Sequence, residues 1–493
     1  MKKGASAVKD SGETPLLNAL VKRRRLKTTP FHMPGHKLGK GLLPKFAKLM
    51  RNDPFAFDLT EVPGLDDLHN PTGPIKDAQS RASRLFGAEH TFFLVNGTTV
   101  GIHASILAVC KQGEEIILPR DIHRSAIGAC ILAGARPIYL PLRVDPDFFI
   151  PYPPTADEVA LVLQTHPSAK SVFQVYPSYY GLASDLTSIA RLAHSRGLPV
   201  IVDEAHGSHF KFNEQLPLTA LESGADLSVQ STHKTLGAFT QASMLHIGSH
   251  LVKADDVRRQ LHILQTTSPS YLLMASLDAA IGHMELSGNT IVAKTVEIAN
   301  RVRAELKLIP GLKCLDEEVC GKNGTAAFDP TKLYISTQDV GLTGYQAAEL
   351  LIKKYRIQVE LGDRLGILCL FSIGTSPADA DNLVRALREI AAGGKQRKIK
   401  RSADLITLPL PKVVLTPREA WFAVLKTVPL KDSVGEIAAE AIALYPPGVP
   451  LICPGEMITN EVIEVINKLR AESGSFHGPA DPNLRRITIV DSC

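Results

Sequence analysis

A chain of 493 residues, 44% apolar and 21% charged, has an ordinary globular composition and is too long for one core; roughly 100–200 residues per domain predicts two to four units. Its formal charge of +5 is small for that length and gives no ground for a polyanionic partner such as nucleic acid. No apolar run approaches the roughly 18 residues that span a bilayer, and the seven cysteines, with no Cys-x-x-Cys pair, suit free thiols in a reducing compartment.

Residues 1–27 lack the apolar stretch of a secretory signal, and Asp10 and Glu13 speak against an organelle address. A cytoplasmic protein without membrane contact is expected. Within this stretch, Lys22-Arg23-Arg24-Arg25-Leu26-Lys27 reads as a solvated helix end rather than a patch for nucleic acid or lipid. Residues 90–95 (HTFFLV) predict a strand, Asn96-Gly97-Thr98-Thr99 a turn, and residues 100–110 a helix stopping near Gly113. A strand at 115–118, a helix at 123–133 and strands at 136–140 and 171–175 follow. Ser184-Asp185 caps a helix with Leu186, Ile189, Ala190 and Ala193 on one face and Gly197 as its stop, and residues 199–202 (PVIV) form a strand buried on both sides.

Strands alternating with helices predict a mostly parallel sheet covered on both faces. In such sheets ligands sit at the carboxyl ends of the strands. That directs attention to residues 96–99, 120–123, 177–180, 203–206 and 231–234. Residues 276–392 read as a smaller α/β domain, with a helix over 277–306, a strand over 333–336 and a helix over 344–355. The polar, basic residues 393–404 read as a linker. Thr416-Pro417-Arg418-Glu419 then opens a helix in a small unit over 405–493. The division is completed by an N-terminal segment, 1–30, and a major domain, 31–275.

Lys234, in Ser231-Thr232-His233-Lys234-Thr235, follows a predicted strand, so its amine emerges at the functional edge of the sheet. A lysine there can form a Schiff base with an aldehyde cofactor, and pyridoxal phosphate (PLP) pairs such a lysine with an acid on its pyridine nitrogen. Asp203 supplies that acid at the end of its own strand. Gly97-Thr98-Thr99, between a strand and a helix, offers backbone N–H groups and hydroxyls to a phosphate. Each element is common alone; the ordered set is far more specific.

The sequence resembles the fold-type I PLP-dependent ornithine/lysine/arginine decarboxylases, specifically their short bacterial-type, biosynthetic arginine decarboxylase-like group. The resemblance covers nearly the whole chain. It is carried by Phe31-His32-Met33-Pro34-Gly35-His36-Lys37, Gly64-Leu65-Asp66-Asp67-Leu68-His69, Val202-Asp203-Glu204-Ala205-His206-Gly207, Ser231-Thr232-His233-Lys234 with Gln241 beyond, Tyr445-Pro446-Pro447-Gly448-Val449-Pro450 and Pro454-Gly455-Glu456. It implies an α/β fold with an aspartate aminotransferase-like, PLP-dependent transferase large domain, a smaller α/β domain and a small C-terminal α+β domain.

By that resemblance Lys234 holds the cofactor, Asp203 pairs with the ring nitrogen, His206 lies near the phenolic oxygen and His123 stacks on the ring. Gly97, Thr98, Thr99, Ser231 and His233 surround the phosphate. Thr267 is assigned to the phosphate of a neighbouring subunit, because the family's dimers share their sites, and a homo-oligomer of at least two chains follows. Glu456 is expected to receive the basic end of the substrate, and Lys234 or His233 to return a proton to the α-carbon. The implied reaction is decarboxylation of a small basic amino acid to its amine and CO2. Arginine is favoured over lysine and ornithine because length and the short N-terminus resemble the arginine-using branch. Lack of the response-regulator-like domain of the large acid-induced enzymes favours a biosynthetic role in supplying polyamine precursors.

Other readings are weaker. Asp203-Glu204-Ala205-His206 spells a helicase signature, but Gly39-Lys40, Gly321-Lys322 and Gly394-Lys395 are followed by residues that complete no phosphate loop. Asp203, His206 and His209 form no convincing metal-ligand pattern, and no metal is expected. The PLP core residues would also serve an aminotransferase or an aldolase. A PLP-binding scaffold without turnover is a further alternative, against which the retention of Lys234, Asp203 and His123 argues.

Overall fold

In a computed structural model the described residues are 14–26, 28–30, 32–34, 36–51, 54–393, 410–445, 448–471 and 475–491. Strands β1 (His90–Leu94), β2 (Glu115–Leu118), β3 (Arg136–Tyr139), β4 (Ser171–Val175), β5 (Leu182–Ala183), β6 (Val200–Asp203), β7 (Leu227–Gln230) and β8 (Ser243–Ile247) follow one another along the first half of the chain. All but β5 form one sheet in the order β1-β8-β7-β6-β4-β2-β3. The run from β7 to β3 is parallel, and β8 is antiparallel to both its neighbours. Strands β6 and β7 are buried along their whole length, as the unbroken Val200-Ile201-Val202 run requires of a strand covered on both faces.

The cover is close. A Cβ at Gly101, on the helix Gly97–Val109, would lie 2.4 Å from Val229 Cγ1 and 2.6 Å from Leu94 Cδ1, so glycine lets this helix settle onto β1 and β7. Two helices differ instructively from the sequence reading. The first begins at Gly97 rather than at residue 100, with Asn96 as N-cap, so Thr98 and Thr99 belong to its first turn. The second, Arg124–Ala133, has His123 as its N-cap, and the imidazole accepts from the Ser125 N–H. Asp66, from the Gly64–His69 motif, accepts from the N–H groups of Thr72, Gly73, Ile75 and Lys76. It thereby fixes the start of the helix Pro74–Phe86.

One helix, Tyr271–Lys307, runs unbroken out of the large sheet's cover into the second layer, across the residue-275 boundary expected from sequence. There, β9 (Lys313–Cys314), β10 (Ala327–Phe328), β11 (Lys332–Ser336), β12 (Leu361–Gly362) and β13 (Gly366–Leu370) follow. Strand β10 pairs with β5, and the others form an antiparallel sheet ordered β12-β13-β11-β9. The predicted helix over 344–355 is α-helical only to Leu350 and ends in a π-turn, Leu351–Tyr355. The expected linker lies outside the described residues except for Gly393, which closes the helix Pro377–Gly393.

The last unit holds β14 (Leu425–Pro429), β15 (Ile442–Tyr445), β16 (Val449–Ile452), β17 (Ser475–His477) and β18 (Arg486–Val490), all in antiparallel pairs, with the helix Asn460–Ala471. The helix predicted from Thr416 is present as Pro417–Phe422, with a complete Thr416/Glu419 capping box. Its Arg418 donates to the carbonyls of Ile131 and Leu132, at the end of the helix that His123 starts. Among the described residues no helix is long and apolar enough to cross a membrane.

Candidate active site

The carboxyl ends of β4, β6 and β7 and the start of the helix Gly97–Val109 open on a cavity of about 460 Å³, within the few-hundred-Å³ range of cofactor sites. Asp203, the last residue of β6, is buried beside it. Burial raises its carboxyl pKa, while the His123 and Lys234 charges and the Ala205 N–H pull it back. Lys234 leaves β7 through a single helical turn, Thr232–Thr235, and its Nζ lies 3.1 Å from His206 Nε2. Desolvation lowers the Lys234 pKa against the opposing pull of Asp203 and Glu360, which favours the free amine a Schiff base needs.

His123 presents its ring to the cavity, with Nδ1 held 2.8 Å from Ser125 Oγ. His233 engages the Ala242 carbonyl through Nδ1 at 2.9 Å, which assigns the proton to that nitrogen. Burial, then Lys234, lower its pKa despite that bond. His206 is buried against Tyr179, ring centroids 4.7 Å apart. Burial, followed by the charges of Lys234, Lys332, His209 and His123, drives its pKa well below the ordinary value, so it is neutral at pH 7.

At the opposite end of the cavity, Gly97 has φ +74° and a Cβ there would meet nothing within 4 Å. Its N–H is held by the Gln241 carbonyl, and the Asn96 side chain makes no cap bond, so this helix start lacks its usual side-chain acceptor. Thr98 is turned inward, its hydroxyl bonded to those of Ser231 and Ser243, whereas Thr99 is exposed at the cavity. Thr98 and Ser231 therefore tie the helix start to β7 and β8. A helix start without a side-chain cap, a buried carboxylate and a lysine amine on one cavity fit PLP. Asp121, whose Oδ1 is buried without a partner, also lines the cavity, and burial pushes its pKa up to about 6.

The geometry corrects one expectation. Glu456 is 0% exposed and does not line this cavity. Both its carboxylate oxygens bind Arg120, itself 1% exposed, and one also accepts from the Cys453 N–H. Arg120 further donates to the carbonyls of Pro450 and Leu451 and lies over the Tyr139 ring. Glu456 thus ties the C-terminal unit to the loop after β2 through Arg120, away from the cavity lining where a substrate is expected. Thr267 is exposed in the single chain. Gly448 and Val449 reach the cavity from the C-terminal unit, while Pro446 and Pro447 of the same motif, like Phe31 and Gly35 of the first, lie outside the described residues.

Sequence reasoning assigned no role to Tyr179 or Lys332. Tyr179 lines the cavity and donates to Glu360, whose charge reaches Lys234. Lys332, 1% exposed at the start of β11, has its Nζ 3.4 Å from His206 Nδ1. The available signal was a lone lysine opening an apolar run, Thr331-Lys332-Leu333-Tyr334-Ile335. His209, weighed and set aside as a metal ligand, has its Nε2 3.2 Å from Asp329 Oδ2.

Comparison with known proteins identifies the family and the fold. The profile described as Orn/Lys/Arg decarboxylase, major domain, matches residues 14–379, and that of the C-terminal domain matches residues 400–478. An arginine decarboxylase of Bacillus subtilis is 41% identical over 97% of this chain and 98% of its own length, and one of Halalkalibacterium halodurans is 40% identical over the same shares. Among solved structures, lysine decarboxylase A from Pseudomonas aeruginosa superposes with a TM-score of 0.83 at 23% identity, covering 97% of this chain and 80% of that one. An alanine–glyoxylate aminotransferase from Nostoc does so at 0.54 with 18% identity, over 75% of this chain and 98% of that one, which places the large domain in the fold-type I class. With profiles of both domains matched along nearly its whole length, the chain belongs to the Orn/Lys/Arg decarboxylase family.

Proposed function

We infer that the chain is a PLP-dependent decarboxylase of basic amino acids with arginine as its preferred substrate. The observation that carries the chemistry is the convergence of Lys234, Asp203 and His123 on one cavity whose far end is an uncapped helix start. Arginine is supported by relatives at 38–41% identity over 97% of the chain, all named arginine decarboxylases, against 25–27% for relatives named lysine decarboxylases.

When bound, PLP supplies an electron sink for the pair left on the α-carbon as CO2 departs. The protein's part is to bind and orient. Lys234 would supply the amine that holds PLP through its aldehyde. With PLP bound, the Asp203 carboxylate would keep the ring nitrogen protonated, and His123 would lie against the ring. Thr99, Gly97, Ser231 and His233, with the first N–H groups of the helix, enclose the phosphate. The lowered pKa of Lys234 lets its Nζ hold or release the proton that returns to the α-carbon. His233 is the alternative donor through Nε2, since its Nδ1 proton is engaged by Ala242. With Glu456 engaged by Arg120, Glu360, an exposed carboxylate that accepts from the hydroxyl of the cavity residue Tyr179 without lining the cavity itself, is the candidate for reading the guanidinium. A second copy of the chain bringing Thr267 to the neighbouring phosphate, and a role in supplying polyamine precursors, belong to the same reading.

The test is CO2 release from arginine, lysine and ornithine in parallel, using PLP-loaded protein with a Lys234→Ala control. Turnover of arginine above the other two, abolished in the control, is expected. A visible absorbance band at Lys234 without CO2 from any of the three would overturn the reading and point to aminotransferase-like chemistry on the same fold.

A further inference from the structure

Burying a lysine amine is costly unless something compensates it, and an apolar side chain would fill the same strand position without that cost. Lys332 is nonetheless 1% exposed in β11, and its hydrogen-bond contact is His206 Nδ1 at 3.4 Å. Asp329 and Glu360 act on it through space. Its stem packs under Gly181, where a Cβ would meet Lys332 Cγ at 2.9 Å, so the amine has little freedom to turn elsewhere. His206 thus bridges two lysines, Lys332 at Nδ1 and Lys234 at Nε2.

Burial lowers the Lys332 pKa against the pull of the Asp329 and Glu360 charges; in its ammonium form it only donates, so Nδ1 accepts and the imidazole proton resides on Nε2. The groups around the pair are Lys234, His123, His209, Asp203, Asp329, Glu360 and the Tyr179 ring. The cations among them hold His206 neutral, and none supplies Nδ1 with another donor. We propose that Lys332 is a positioning residue that fixes His206 as an Nε2–H donor, aimed at the atoms around the Lys234 nitrogen. In PLP the phenolic oxygen sits on the ring carbon next to the one bearing the aldehyde, so it is the natural acceptor for that N–H. Donation to it stabilises the phenolate and thereby lowers the pH at which the proton on the Lys234 nitrogen is lost. The inference rests on the PLP reading above.

The experiment is an optical pH titration of PLP-loaded protein, following the visible band, for the parent, Lys332→Met, His206→Asn and the double variant. Lys332→Met is expected to raise the midpoint by about one pH unit, a tenfold change in proton affinity, with PLP content and melting temperature near the parent's. In the His206→Asn background the same substitution is expected to move the midpoint by less than half as much. An unchanged midpoint, or an equal shift in both backgrounds, overturns the proposal, the latter because Lys332 would then act only through its field. If Lys332→Met does not fold, Lys332→Gln in the two backgrounds decides the question by the same comparison. Absence of any Lys234-dependent band in the parent would instead sink the PLP reading itself.

Discussion

Replacing Glu456 by Gln tests whether this carboxylate belongs to the architecture or to the substrate site. Arg120 and Glu456 are both at most 1% exposed, and the guanidinium is satisfied by two carboxylate oxygens and the carbonyls of Pro450 and Leu451. Burial alone would lower the Arg120 pKa, yet the Glu456 charge reverses this and the net shift is upward, so the guanidinium stays charged. Glu456→Gln leaves that charge buried with only neutral acceptors. Breaking a buried ion pair by removing one partner costs about 3–5 kcal/mol. Because the pair links β16 and its following loop to the end of β2, the loss falls on docking of the C-terminal unit against the large sheet. In urea denaturation the early transition reporting that unit should move to lower urea by that amount. A double variant, Arg120→Met with Glu456→Leu, should recover more than half, since no charge is then buried. The arginine-to-lysine ratio of kcat/KM should stay within twofold of the parent. A loss under about 1 kcal/mol, or additive effects in the double variant, would refute that architectural role. A collapse of arginine preference with unchanged stability would return Glu456 to the substrate site.

Two further outcomes follow from other charges. Asp329 is held at about 2 against an ordinary 3.8, burial pushing it up but the His209 charge and hydrogen bond, Lys332 and Thr331 pulling it down further. A depressed carboxyl stabilises the fold above its unfolded pKa, and that contribution disappears as pH falls from about 4 through 2. At ~1.4 kcal/mol per pH unit it amounts to about 2 kcal/mol, so urea midpoints of the parent and Asp329→Asn should converge across this window. A gap independent of pH would contradict the assignment. Glu360→Gln should raise the KM for arginine about tenfold, the order of one charge-assisted hydrogen bond, with little change in PLP binding. An unchanged KM in steady-state assays would remove Glu360 from substrate reading.

How much of this protein can be read from its residues alone depends on the range of the interaction involved. Lys234, Asp203 and His123 were legible because each sits at or just beyond the carboxyl end of a strand, and strand–loop–helix alternation already says which edge of a parallel sheet faces the ligand. The family motifs carried the same information, and the comparisons agree with the family and the fold. The apolar run 199–202 likewise announced a central strand, since nothing but burial on both faces explains it. Glu456 could not be placed this way. Its motif suggests a site, but whether the carboxylate meets a substrate or an arginine 336 residues earlier is decided only when the C-terminal unit packs on the end of β2. Lys332 opens β11 and His206 lies in the turn after β6, and their approach across 126 residues leaves no periodic trace. Local pattern reports which face of an element is buried; the partner of a buried charge is chosen by tertiary packing, because a desolvated ion must find its counter-group wherever in the chain the fold brings one within reach.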